Sequence, residues 1–396
     1  MADIFQKALT FHKKHQGKLR TELVQPLESM DDLALAYTPG VAEPCRRIAE
    51  DESLSYDYTW RGRTVAVVSD GSAVLGLGNI GGAASLPVME GKAVLLKRFG
   101  DVDAVPLVLN TQDPEKIIAF VRQLAPSFAG INLEDIAAPH CFHIEAALQD
   151  IGIPVFHDDQ HGTAIVVSAA LHNAAKVLGK KWSELRVVVV GAGAAGTAVT
   201  NMLLGLEWTT EGLERADVDQ TVGDVIMVDS TGAIVEGRSD LSGYKKDLSK
   251  CTNLGHTGGT LSKVIADADV VIGVSGPGVI TQKMISSMAA DAIVFALANP
   301  TPEIMPDEAR AAGAAIVATG RSDFANQINN VLAFPGIFKA VIEGRLQRIE
   351  PAMKLAAAQV LAETVTKPTA EKIIPTVFEP QLAEKIAKGI LARATG

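Results

Sequence analysis

Two pairs of adjacent acids, Glu134-Asp135 and Asp158-Asp159, stand where short apolar runs end. Neighbouring carboxylates repel one another unless a cation lies between them. Hard oxygen donors of this kind suit Mg²⁺ or Mn²⁺. Asp158 or Asp159 has a plainer use as cap of a helix opening near Gly162, and spacing alone does not choose between the two. His157 and His161 flank these acids. A zinc site would need a further ligand that the sequence does not offer, so they read as hydrogen-bonding neighbours. Lys92, in Glu90-Gly-Lys-Ala-Val-Leu-Leu96, lies beside an apolar run. Apolar surroundings ease loss of the lysine charge and suit it to act as a base; alone, such a lysine more often snorkels to the surface. Tyr37, in Tyr37-Thr-Pro-Gly-Val-Ala-Glu-Pro44, is one of four tyrosines. By itself it reads as a ring packed in a proline turn.

A second chemistry is written in glycines. Arg186-Val-Val-Val-Val190 runs straight into Gly191-Ala192-Gly193-Ala194-Ala195-Gly196 and then into a helical pattern. Strand, glycine turn and helix in that order cradle a dinucleotide. Gly191 permits the tight turn, Gly193 lets backbone approach the pyrophosphate, and Gly196 lets helix and strand pack. The helix N-terminus offers free N–H groups to phosphate. A β-carbon at Gly193 is therefore expected to collide with the pyrophosphate. The next strand ends in Asp229, an acid placed to bind a ribose 2′-hydroxyl, later than the usual spacing of about 20 residues. The polar stretch 207–224 reads as an insertion that explains the delay. Asp229 favours NAD over NADP, while Arg238, Lys245 and Lys246 stand close enough in sequence to meet a 2′-phosphate, which leaves the preference open. Gly76-Leu-Gly78-Asn-Ile-Gly81-Gly82 has a similar glycine pattern, but no alternating strand–helix series follows it, so it reads as a close-approach turn.

The elements that must hold these groups are legible as periodicity. Val65–Ser69, Ala104–Leu109 and the segment around Pro154-Val155-Phe156 read as buried strands. Pro114–Leu124 reads as a helix, and Thr163–Leu178 as a long apolar one. Strands at Val187–Val190, Val225–Val228, Val270–Val274, Ile293–Ala296 and Ile316–Ala318, with helices between several of them, predict a parallel sheet. After Phe334-Pro335-Gly336 the chain turns helical, with helices over Ala352–Thr366 and Gln381–Ala394. The expected fold is α/β: a Rossmann-type parallel-sheet dinucleotide domain, an N-terminal α/β catalytic domain, and C-terminal helices. The expected boundaries are 1–161, 162–345 and 346–396, with the closing helices free to pack back on the first domain.

The chain has 396 residues, is 47% hydrophobic and carries a formal net charge of −10. That charge, with no basic run, argues against nucleic-acid and anionic-membrane partners. Cys45, Cys141 and Cys251 are widely spaced and form neither a disulfide framework nor a thiolate site, which fits a reducing cytoplasm.

Taken together these stretches resemble malic enzyme, in its short bacterial form. The segments that carry the resemblance are Tyr37-Thr-Pro-Gly-Val-Ala, Val68-Ser-Asp-Gly71, Pro87-Val-Met-Glu-Gly-Lys92, Asn132-Leu-Glu-Asp135, Phe156-His-Asp-Asp-Gln-His-Gly-Thr163, Gly191 to Gly196, Ala298-Asn-Pro300 and Asn329-Asn-Val-Leu-Ala-Phe-Pro-Gly336. The resemblance implies divalent-metal-dependent oxidative decarboxylation of L-malate to pyruvate and CO₂, with reduction of NAD or NADP, and decarboxylation of oxaloacetate beside it. It implies that Glu134, Asp135 and Asp159 hold the Mg²⁺ or Mn²⁺, that Lys92 is the general base and Tyr37 the general acid. It gives Asn299 and Asn330 the task of placing substrate beside the nicotinamide, and it implies a homodimer or higher homo-oligomer. One departure stands out. Longer malic enzymes carry Glu-Arg after the Asp-Gly, where this chain has Ser72-Ala73, so the substrate's counter-charge must come from another basic group.

Overall fold

A computed structural model describes residues 2–209, 212–215 and 221–394. Two sheets organise it, the first parallel and the second parallel except for one antiparallel pairing at its edge. The first is built from β1 (Thr64–Ser69), β2 (Asp103–Val108), β3 (Gly130–Leu133) and β4 (Val155–His157), in the order β2-β1-β3-β4. All its pairings are parallel. The second contains β5 (Arg186–Val190), β8 (Asp224–Asp229), β9 (Gly232–Ala233), β10 (Val270–Gly273), β11 (Ala292–Ala296) and β12 (Ala314–Thr319), in the order β12-β11-β10-β5-β8-β9, with β8 and β9 antiparallel. Between β5 and β8 lies an antiparallel pair, β6 (Leu206–Thr209) and β7 (Gly212–Arg215). That pair falls in the stretch 207–224 expected as an insertion, of which residues 210–211 and 216–220 lie outside the described residues. Unbroken runs such as Val187-Val-Val-Val190 are what helices on both faces of a parallel sheet require, and those four valines are at most 5% exposed.

The two sheets are joined by the helix Asp158–Leu178. It starts earlier than the expected Thr163, directly after β4, so Asp158 and Asp159 form its first turn. Its N-cap is His157, with no side-chain capping bond. Neither aspartate is the cap; both are free for other work. Of the closing helices, Phe334–Gly344 packs on β3 of the first sheet, Pro351–Glu363 on the helix Asp158–Leu178, and Leu382–Ala394 on the other two. Phe338 meets Phe156 edge-on with ring centroids 5.9 Å apart, and an added β-carbon at Gly130 would lie 3.2 Å from Val341. Phe156, Phe334 and Phe338 are fully buried there.

The first turns of chain behave differently. The helices Met30–Ala36 and Ala42–Glu50 bury no residue. Phe5, Leu9, Leu23, Met30 and Leu35 are exposed along this arm.

Candidate active site

The chemistry-bearing residues collect beyond the C-terminal ends of the strands, where open parallel sheets place ligands. Glu134 and Asp135 follow β3, and Asp158 and Asp159 follow β4, its parallel neighbour. Lys92 reaches them from the helix Gly81–Leu95. Its Nζ lies 2.9 Å from Glu134 Oε1 and donates to Asp158 Oδ2. It also sits 4.6 Å from the centre of the Phe334 ring, a cation–π contact. Asn330 Nδ2 donates to the same Asp158 oxygen at 2.5 Å. Asn132 Nδ2 donates to Glu134 Oε2 at 2.8 Å. Asp159 Oδ2 accepts the backbone N–H of Asp135 at 2.7 Å.

The electrostatics follow from this crowding. Burial works against the Lys92 ammonium, but the charges of Asp158, Glu134 and Asp159 outweigh it and hold the lysine above its ordinary value. Burial pushes the Glu134 carboxyl well up; Lys92 pulls it back, and Asp159, Asp158 and Asp135 push it further. Asp135 is raised to about 7, by burial first and by the charge of Asp159 second. Four acids thus crowd around Lys92, and full ionisation of all of them is disfavoured without a further cation. Carboxylate oxygens of Glu134, Asp135 and Asp159 lie within 4.8 Å of one another. Asp135 Oδ2 is buried and has no hydrogen-bond partner among the described residues, a costly state that a divalent cation would relieve. The residues present therefore fit the expected metal.

The dinucleotide elements are equally specific. Gly191 has φ +116°, and a β-carbon there would lie 2.5 Å from Val274 O. At Gly196 it would lie 1.9 Å from Gly191 O. At Gly193, the residue before the helix Ala194–Leu204, a β-carbon would meet nothing within 4 Å. That open space at a helix N-terminus is what a pyrophosphate would occupy. Tyr244 Oη pins the loop by donating to Ala192 O at 2.6 Å. Glu303, fully buried, accepts the N–H groups of Ser275 at 2.8 Å and Ala298 at 3.0 Å, and so fixes the loop that carries Asn299. Across the cleft, an added β-carbon at Gly76 would lie 3.1 Å from Asn299 O: this glycine turn is a close approach between the two halves.

Sequence reasoning missed three things. Asp158, offered there as a cap or cation ligand, is the partner of Lys92; its neighbour relation to a helix start gave no sign of that. Asp229 is not a free acid. Arg238 clamps it through two nitrogens at 2.6 and 3.0 Å, and Lys245 Nζ donates to it at 2.8 Å. Burial would raise its pKa, but Arg238 and Lys245 hold it well below the usual carboxylate range. Of the two neighbouring lysines, it is Lys245 that reaches this carboxylate. Tyr37 is 67% exposed on the arm and is not hydrogen-bonded to the Lys92 group, so within one chain the two sequence candidates for acid and base are not brought into contact. Ser72, in the place of the missing acidic residue, ties Asp70 Oδ1 to the N–H of Ala137 at 2.6 and 2.8 Å.

With this geometry in view, the comparisons with known proteins decide the family. The malic enzyme N-terminal domain matches residues 16–149, and the malic enzyme NAD binding domain matches residues 160–395. The chain belongs to the malic enzyme family. It is 51% identical to a bifunctional malic/malolactic enzyme of Bacillus subtilis (strain 168), over 98% of this chain and 92% of that one. It is 44% identical to an NADP-dependent malic enzyme of Halomonas elongata, over 98% and 93%. The crystal structure of an NAD-dependent malic enzyme from Thermotoga maritima superposes with a TM-score of 0.91 at 47% identity, covering 97% of this chain and 98% of that one. As a malic enzyme the chain is an oxidoreductase with a nicotinamide cofactor. No helix among its described residues is long and apolar enough to cross a membrane.

Proposed function

We propose that this malic enzyme converts L-malate to pyruvate and CO₂ with reduction of NAD⁺ or NADP⁺, and that it also decarboxylates oxaloacetate. The observation that carries the reading is the convergence of Lys92, Asp158 and Asn330 on one edge of the Glu134, Asp135 and Asp159 group. Glu134, Asp135 and Asp159 would hold Mg²⁺ or Mn²⁺, which supplies Lewis acidity at the substrate oxygen and offsets the crowded negative charge. The surrounding carboxylates hold Lys92 as an ammonium; with their charge offset by a bound cation it would serve as the base for the malate C2 hydroxyl, and Asp158 and Asn330 fix where its Nζ stands. Asn299 and Asn330 place the substrate beside the nicotinamide, while Gly191, Gly193, Ala194, Ala195 and Gly196 receive the pyrophosphate. Tyr37 returns a proton to C3 to give pyruvate.

Asp229 favours NAD⁺ through a ribose hydroxyl, and the Arg238–Lys245 pairing narrows that margin by leaving cations where a 2′-phosphate would arrive. The working unit is a homodimer or higher homo-oligomer. The exposed apolar arm supports this, since a second copy would cover it, and Tyr37 lies on the same arm. Residues 1–161 form the catalytic domain, 162–345 the dinucleotide domain and 346–396 the helices that brace the first. The enzyme works in the cytoplasm, away from membranes and nucleic acid. The test is a spectrophotometric assay with L-malate and Mn²⁺, run in parallel with NAD⁺ and NADP⁺. Reduction of either, matched by pyruvate, supports the reading; no reduction of both overturns it.

A further inference from the structure

The helix Asp158–Leu178 serves two cavities with its first turn. Asp158 and Asp159 belong to the catalytic group. The next residues, Gln160 and His161, line a separate cavity of about 100 Å³. On that measure one water needs about 10–15 Å³, so there is room for a small organic molecule. The walls come from both halves of the chain, with Phe142, Met202 and Leu355 supplying apolar surface.

The polar groups of this cavity are unevenly satisfied. Glu145 is saturated: it accepts the N–H of His157 at 3.1 Å, Gln160 Nε2 at 3.1 Å and His161 Nε2 at 2.8 Å. It thereby holds the turn that carries Asp158 and Asp159. Lys354 is different. Its Nζ approaches only the ring nitrogens of His161, at 3.3 and 3.4 Å, and forms no salt bridge among the described residues. Burial lowers its pKa, and Glu145 and Glu207 support its charge only from a distance. Asn201 Oδ1 and Trp208 Nε1 are buried without a hydrogen-bond partner among the described residues, and Asn201 is 7% exposed. Unpartnered buried polar atoms in a roomy cavity call for a ligand that supplies the missing halves.

The missing halves define its chemistry. Lys354 and Trp208 Nε1 want an anionic acceptor, as a carboxylate provides. Asn201 Oδ1 wants a donor, and Glu207 in the same cavity wall makes a cationic donor the better fit. The apolar walls want a short hydrocarbon. A dicarboxylate would bring a second negative charge toward Glu145 and Glu207, which excludes malate from this cavity. We propose that this cavity binds a small apolar α-amino acid, and that its occupancy alters malate turnover through Glu145 and the first turn of the helix Asp158–Leu178.

The test is calorimetric titration of the full chain with L-valine, beside 3-methylbutanoate, which has the same skeleton without the ammonium group. L-Valine is expected to bind saturably, one per chain, and 3-methylbutanoate ~10-fold or more weakly, the scale of one charged hydrogen bond. Lys354→Met and Asn201→Leu should each weaken L-valine by a similar factor while keeping malate oxidation; Trp208→Phe serves if either fails to fold. Saturating L-valine should shift kcat/KM for malate in the wild type and not in Asn201→Leu. Absence of L-valine binding, equal binding of 3-methylbutanoate, or binding indifferent to all three substitutions would overturn the site. An unchanged kcat/KM with L-valine bound would overturn the coupling.

Discussion

Asn330 Nδ2 and Asp158 Oδ2 are 2.5 Å apart although 172 residues separate them in sequence, and the same oxygen receives Lys92 Nζ. Asp158 is thus the point at which three distant segments agree on where the lysine stands. Asp158→Asn keeps the shape and removes the charge. We expect kcat to fall ~10²–10⁴-fold, the range for one acid–base group. Combining it with Lys92→Ala should cost little more than Lys92→Ala alone, because residues acting as a unit are not additive. Steady-state rates of the two single and the double variants check this; multiplied losses would separate Asp158 from Lys92.

Metal dependence has a residue-level signature. EDTA should abolish turnover and Mn²⁺ or Mg²⁺ should restore it. Asp159→Asn should weaken Mn²⁺ affinity ~10-fold or more while dinucleotide affinity, read by protein fluorescence, stays near wild type. Equal loss of both would make Asp159 a structural residue.

The glycines of the dinucleotide loop should separate by what their β-carbons meet. Gly193→Val points into open space, so the thermal midpoint should hold while dinucleotide binding weakens strongly. Gly196→Ala, with its β-carbon 1.9 Å from Gly191 O, should cost ~1–3 kcal/mol of stability by overpacking. Thermal melts with and without NAD⁺ distinguish the two. Arg238→Ala should lower kcat/KM for NADP⁺ more than for NAD⁺; the reverse order would remove Arg238 from 2′-phosphate recognition.

Tyr37→Phe keeps the ring and deletes the proton donor. It should slow pyruvate formation more than hydride transfer from malate, so carbon and hydride isotope effects should move toward the decarboxylation half. Wild-type pyruvate formation would return Tyr37 to a packing role.

Glu145 predicts an acid limb of stability. Burial would raise its carboxyl, but the charge and hydrogen bond of His161, with Lys354, bring it down to about 2 from an ordinary 4.5. A carboxyl whose folded value is lowered stabilises fully above its unfolded value and loses that contribution as pH falls through the folded one. Wild-type unfolding free energy should therefore drop between about pH 4.5 and 2. Glu145→Gln should be less stable by ~1–3 kcal/mol at neutral pH and should show a shallower drop across that window. Parallel slopes would mean that Glu145 is not the group titrating.

The sequence carried the parts of this account that are local. The strand-to-glycine-to-helix run at 186–204 and the valine runs of the second sheet needed only periodicity and glycine chemistry, and both stand in the structure. The two acid pairs were legible as neighbours at the ends of apolar runs, but the choice of Glu134, Asp135 and Asp159 came from the family resemblance; that the acids following β3 and β4 meet depends on the side-by-side pairing of those strands. What was not legible depends on long-range pairing. The Lys92–Asp158 bond joins helix and strand ends 66 residues apart, and no spacing rule connects them. Asp229 looked free because its partners approach from the loop and helix beyond the strand. The early start of the helix at Asp158 was hidden by Asp-Asp-Gln-His, a polar opening that reads as loop until the packed turn is seen.

In the proposed reaction Lys92 and its carboxylates serve both the oxidation of malate by the nicotinamide and the decarboxylation that follows. The most direct measurement counts pyruvate and reduced nicotinamide together, from L-malate and Mn²⁺, for the wild type and Lys92→Ala. Equal amounts of both products are expected from the wild type, and a loss of ~10²–10⁴-fold in both for Lys92→Ala with dinucleotide binding kept. Nicotinamide reduction without pyruvate, or a Lys92→Ala enzyme turning over malate at the wild-type rate, would contradict it.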